Sequence, residues 1–131
     1  MTMGQLSEIS ELHNQIYELE ESLQALRSKA YPAASRMTGM PHGSGISDRT
    51  AFLAVEIEEM EQDISDLREQ LESKKKTAAA FIKTIPDIET RTIFRLRYIH
   101  GMLWKEVGGL IGKSDNCVRT KCSRYMKQLN S

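Results

Sequence analysis

Near the C-terminus, one short stretch concentrates side chains suited to recognition by hydrogen bonds and charge. Ser114-Asp115-Asn116-Cys117-Val118-Arg119-Thr120-Lys121 is followed by Ser123, Arg124 and Lys127. At helical spacing Val118, Cys122, Tyr125, Met126 and Leu129 form one apolar face. Asn116, Arg119, Thr120, Ser123, Arg124 and Lys127 are left on the opposite face. A guanidinium donates two parallel hydrogen bonds to guanine, an Asn amide pairs with adenine, and Lys or Arg meets phosphate. The stretch supplies donors and charge rather than reactive groups.

Bond-making chemistry finds no such concentration. His13, His42 and His100 are scattered with no carboxylate or thiol at ligand spacing, which argues against a metal site. Cys117 and Cys122 stand five apart, neither a CxxC pair nor a disulfide framework, and are expected to be reduced. There is no nucleophile–base constellation and no Gly-rich phosphate loop, and the many Asp and Glu fall on helix flanks. An enzyme is therefore the least favoured class, and no cofactor is expected. No apolar run reaches the roughly 18 residues of a membrane span. Met1–Ser10 lacks the basic patch and apolar core of a secretory signal, so a cytoplasmic setting is expected.

The charge of the chain separates its parts. Its 131 residues carry 18 basic and 18 acidic side chains, a formal net charge of zero. Residues 1–72 hold 14 of the acids and 5 of the bases, whereas residues 73–131 hold 4 acids and 13 bases. The first part is thus at −9 and the second at +9. Within the acidic part, Ile9, Leu12, Ile16, Leu19, Leu23 and Leu26 follow an unbroken heptad seam. Leu53, Ile57, Met60, Ile64, Leu67 and Leu71 form a second seam, and each spans about 27 Å of helix. Matched length predicts that the two helices pair as an antiparallel coiled-coil hairpin over residues 1–85. Residues 31–47, with Pro32, Pro41 and three glycines, read as a mobile connecting loop, and Ser47 or Asp48 as the N-cap of the second helix. That helix is expected to run to Ile85, where Pro86 stops it. Such a hairpin leaves its flanks exposed, which predicts self-association through the coiled coil. Phosphate would be repelled by its acidic flanks.

From Pro86 to the end the pattern changes to short helices with glycine joints. The first carries Ile88, Ile93, Phe94, Leu96, Arg97 and Tyr98 and ends at Gly101. The second runs from about Leu103 to Ile111, with Trp104, Val107, Leu110 and Ile111 inward. Gly112-Lys113-Ser114 is a tight joint, and Ser114 caps the third helix. Gly108 lets the last two helices approach closely. Two short helices on a glycine turn, the second with a basic outward face, make a helix-turn-helix arrangement. The expected fold class is all-α: the hairpin, then a helix-turn-helix bundle over residues 86–131.

Ile85-Pro86, Arg95-Leu96-Arg97-Tyr98, Gly101, Trp104-Lys105-Glu106-Val107-Gly108, Ile111-Gly112-Lys113-Ser114 and Val118-Arg119 together resemble a sigma-factor region-4 helix-turn-helix, the module that reads the promoter −35 element. With an acidic hairpin in front, the layout resembles the small phage-encoded sigma-like regulators of the ArpU/RinA type, linked to late gene expression. Two residues depart from the module: Lys121 stands where it usually has an apolar residue, and Cys117 where it has a basic or polar one. The resemblance implies that Asp115, Asn116, Cys117, Arg119 and Thr120 enter the major groove. Arg119 and Asn116 are the best base readers, while Thr120 meets a thymine methyl or a phosphate. Asp115 either accepts from a cytosine amine or compensates the helix dipole. Lys113, Ser114, Lys121, Arg124 and Lys127 are expected at phosphates. Trp104 is expected in the core or as a phosphate donor. The implied role is a sequence-specific, double-stranded DNA-binding regulator of phage or prophage genes. It would work with host RNA polymerase at the bacterial nucleoid, with the acidic hairpin as a protein-contact surface. Two other classes share these features: a phage small terminase-type packaging protein, and an interaction protein in which the basic module docks on an acidic partner.

Overall fold

A heptad seam needs a partner face, and in the computed structural model the two seams supply it to each other. The structure describes residues 1–31 and 48–130. All regular elements among them are helical: α1 (Met3–Ala30), α2 (Asp48–Ile82), α3 (Ile88–Phe94), α4 (Trp104–Ile111) and α5 (Asp115–Leu129). A π-helical turn, Arg95–Ile99, continues α3. The fold is all-α, as the periodicity predicts. The loop expected over residues 31–47 and the cap expected at Ser47 lie outside the described residues, apart from exposed Tyr31. No described helix is long and apolar enough to cross a membrane.

Ion pairs record the antiparallel pairing of α1 with α2. Arg27 binds Glu61 at 2.8 Å, Arg68 binds Glu20, and Lys74 binds Glu8 at 3.2 Å. These pairs are exposed and set register more than stability. The apolar seam supplies the burial. Ile16, Leu23, Ile57, Ile64 and Leu71 are buried, whereas Leu19, Leu26, Leu53, Met60 and Leu67 are only partly covered. Each helix of a two-helix layer has one neighbour, so alternate seam positions keep a flank in solvent.

Two compact units emerge: Gln15–Arg68, and Met1–Asn14 together with Glu69–Ser131. The division does not fall at the expected 85/86 boundary, because the chain ends share a core. Leu6, Ile9, Ala78, Ile82 and Ile85 are as fully buried as Ile93, Phe94, Val107, Val118 and Cys122. The Phe94 ring lies 6.2 Å from Phe81 near the end of α2, 5.7 Å from Tyr98 and 5.8 Å from Tyr125. Edge-on aromatic packing of this kind adds to burial. α2 stops three residues short of the expected Ile85. The Thr84 hydroxyl donates to the Phe81 carbonyl at 2.6 Å, and Pro86 disfavours helical backbone at Ile85.

Within this unit the π turn is where the chain end meets α1. The His100 N–H donates to the Arg95 carbonyl, five residues back, and Gly101 follows at φ +70°. His13 of α1 donates from Nε2 to the Tyr98 carbonyl at 2.9 Å, which fixes the proton on Nε2. Burial holds the His13 pKa below its ordinary value, so the neutral ring is favoured there. A Cβ at Gly101 would lie 2.5 Å from Nδ1 of that ring.

α5 packs on both α3 and α4. Val118, Cys122 and Met126 are buried as expected, and Tyr125 is partly buried. Leu110, expected inward, is 65% exposed, because it sits about 200° around the helix from Gly108. Leu129 at the end of α5 and Ile88 at the start of α3 are likewise exposed.

The two glycines of α4 have opposite roles. A Cβ on Gly108 would come within 2.5 Å of the Lys113 carbonyl oxygen, which is backbone that cannot swing aside, whereas one on Gly109 meets nothing within 4 Å. Gly108→Ala should destabilise by about 1–3 kcal/mol through overpacking. Gly109→Ala should stabilise by about 0.5–1 kcal/mol through helix propensity. Urea or thermal melts of the two variants are expected to move in opposite directions.

Candidate nucleic-acid interface

The reading helix begins at a turn that its own residues enforce. Gly112 takes φ +85°, a conformation natural to glycine, and the N–H groups of Gly112 and Lys113 both donate to the Gly108 carbonyl, at 2.8 and 2.9 Å. Ser114 then caps α5, its Oγ accepting from the Cys117 N–H at 3.1 Å. The hydroxyl expected at a phosphate thus already serves the helix terminus as acceptor, keeping its own proton to donate. Asp115 occupies the first turn, where the helix dipole favours negative charge. At α4 the Glu106 carboxylate accepts from the Leu103 N–H at 3.0 Å, half of a capping box with a leucine at the cap position.

All five expected base readers lie within the first turn and a half of α5. Asp115, Asn116, Cys117 and Arg119 are exposed, and Thr120 is partly buried. Asn116, Thr120, Ser123 and Lys127 share one strip of the helix, and Arg124 lies exposed beside it. Among the described residues Arg119, Arg124 and Lys127 form no ion pair. Their charges face solvent.

Lys113 and Lys121 are placed otherwise than expected. Glu89 Oε1 accepts from Lys113 Nζ at 2.6 Å and from Lys121 Nζ at 2.9 Å, and Lys121 also lies 3.5 Å from Asp87 Oδ2. Asp87 is itself the N-cap of α3, accepting from the Thr90 N–H at 3.0 Å and the Thr90 hydroxyl at 2.7 Å. Both ammonium groups are therefore occupied in tying α3 to the turn and to α5. The hydrogen bonds from Lys113 and then Lys121 hold the Glu89 carboxyl below its ordinary pKa, and the bond to Glu89 raises that of Lys121. The Thr90 bonds lower Asp87 in the same way. This pairing accounts for a lysine at position 121, where the resembling module carries an apolar residue.

Arg97 is the residue that pattern reading assigned to packing alone. Its guanidinium lies 4.7 Å from the centre of the Trp104 ring, and Nη1 donates to the Met102 carbonyl at 2.8 Å. Trp104 in turn meets Tyr98 edge-on at 6.3 Å, so it is a packing residue here. Burial first, and the positive charge of Arg119 further down the order, push the Arg97 pKa below its ordinary value. The fold thus holds one guanidinium fixed within electrostatic reach of another. Cys122 and Tyr98 are buried and inert, each with its pKa raised to about 12 by desolvation. Cys117 is exposed. Among the described residues no group of three or more His, Cys, Asp or Glu side chains is arranged to hold a metal ion.

The Glu89 pairing gives a pH prediction. A carboxylate whose folded pKa is depressed contributes stability above its unfolded pKa and loses it as pH falls through the folded value. Stability should decline on acidification below the ordinary carboxylate range, and Glu89→Gln should flatten that part of the curve, as read from thermal melts across pH.

The chain matches no protein-family model, no curated protein and no solved structure.

Proposed function

We propose that the chain is a sequence-specific, double-stranded DNA-binding transcription regulator whose α4–turn–α5 segment reads the major groove. The observation that carries this reading is the start of α5: Asn116 and Arg119 stand exposed on a capped helix whose apolar face is buried. Arg119 supplies a bidentate donor for guanine and Asn116 one for adenine. Arg124 and Lys127, exposed along the same helix, supply phosphate contacts, as does Arg119 where no guanine is present. The proximity of Arg97 to Arg119 supports the reading, because an approaching anion relieves repulsion between two guanidinium groups. Lys113 and Lys121 act on the protein side of the interface, holding α5 at its angle through Glu89.

The resemblance to sigma-factor region 4 narrows the proposal to a phage or prophage regulator of the ArpU/RinA type acting with host RNA polymerase. The resemblance covers residues 85–129 and includes no promoter-melting part, so the proposed role is that of an accessory regulator. The long acidic hairpin leaves room for protein contacts away from the duplex.

Selection of bound duplexes from a random pool, using the full chain, should enrich a motif. Against that motif, Arg119→Ala should lose discrimination at one base pair by about 5- to 150-fold, matching roughly 1–3 kcal/mol. Lys127→Ala should weaken all duplexes alike and lower the salt slope by about one. Lys121→Ala should leave the salt slope nearly unchanged while lowering the melting temperature. A pool that yields no motif would sink sequence-specific reading, and absence of binding at low salt would sink the nucleic-acid assignment altogether.

A further inference from the structure

We infer that the Gln15–Arg68 unit docks a basic amphipathic helix of another protein in a groove between α1 and α2. The groove has a volume of about 570 Å³. Leu19 and Leu67 form its floor, and Glu18, Asp63, Asp66 and Ser22 stand around it. Both leucines belong to the heptad seam yet are only partly covered, because the hairpin has no third helix on this side. No lysine or arginine lines the groove. The surface is therefore an apolar floor with a one-signed rim, the form that accepts an amphipathic helix through spaced anchors and selects its charge by complementarity.

The carboxylates decide which helix fits. A second copy presenting the same groove would bring Glu18, Asp63 and Asp66 of each chain together, with no cation in the groove to neutralise them. Nucleic acid is disfavoured for the same reason. The acidic character continues along α2, where Glu58, Glu59 and Glu61 line a second depression. A helix carrying leucine-like anchors at i, i+3 or i+4 and i+7, flanked by Lys or Arg, satisfies floor and rim together. The inference does not depend on DNA binding by α5, since all the residues involved lie within the hairpin unit.

The test uses the full chain and a fluorescein-labelled Leu/Lys amphipathic peptide, with a scrambled peptide of identical composition as control. Anisotropy should show the amphipathic peptide binding at least about tenfold tighter than the scrambled one. Binding should also weaken as salt rises from about 0.05 to 0.3 M. Leu19→Ser/Leu67→Ser should cost at least about tenfold while keeping the salt dependence. Asp63→Asn/Asp66→Asn should weaken binding and flatten that dependence. Circular dichroism checks the fold of each variant, and the exposed single change Asp63→Lys, expected to weaken binding, serves if the serine variant unfolds. Equal binding of the scrambled peptide, or indifference to the serine substitutions, would reduce the groove to a patch of charge and overturn the inference. So would a dimer in light scattering that Leu67→Ser converts to monomer, which would make a second copy the occupant.

Discussion

The absence of a side chain at Gly108 is the constraint on which the C-terminal half depends. The Lys113 carbonyl oxygen occupies the space that a Cβ would fill, and the Gly108 carbonyl accepts from both Gly112 and Lys113. One residue thus terminates α4, shapes the turn and sets how near α5 begins. Everything presented to solvent by Asn116 and Arg119 follows from that placement. The close approach also makes the burial of Val107 and Val118 compatible with a joint only three residues long. Close packing here is geometry first and apolar burial second.

Around this joint the molecule sorts its cations by what they can reach. Lys113 and Lys121 find Glu89 within hydrogen-bond distance, and Arg97 finds an aromatic face and a carbonyl. Arg119, Arg124 and Lys127 form no ion pair among the described residues and remain on the outer side of α5. A basic residue at a helix-turn-helix is therefore no guide to a ligand until its neighbours are known. In this chain the excess of +9 over residues 73–131 divides into charges that brace the fold and charges that stay in water.

What could be read from the residues alone were features local in sequence. The two seams, the Ser114 cap, the need for a small residue at Gly108 and the buried strip Val118–Cys122–Met126 all rest on spacings within a few turns. What escaped was contact between distant positions. Glu89 meets Lys113 and Lys121 across 24 and 32 residues, and His13 meets Tyr98 across 85. No periodicity encodes such meetings. The boundary expected after Ile85 follows the change of charge, whereas the core follows Leu6, Ile9 and Phe81, whose partners lie at the other end of the chain. The exposure of Leu110 and Leu129 follows from the short lengths of their helices, which end before a neighbour can cover them.

The π turn at Arg95–Ile99 carries a consequence for how tolerant this chain is of changes in length. A π turn holds one residue more than an α-helix of the same rise. Deleting a residue there would restore regular winding and rotate everything after it by about 100° relative to α3. The Tyr98 carbonyl would leave His13, and Gly101 would leave the imidazole it lies against. Substitutions that keep the count at five preserve this meeting point, whereas a one-residue slip disconnects the N-terminal helix from the C-terminal core. The spare residue makes this segment a gauge of chain length, and its numbering is as much a part of the fold as its chemistry.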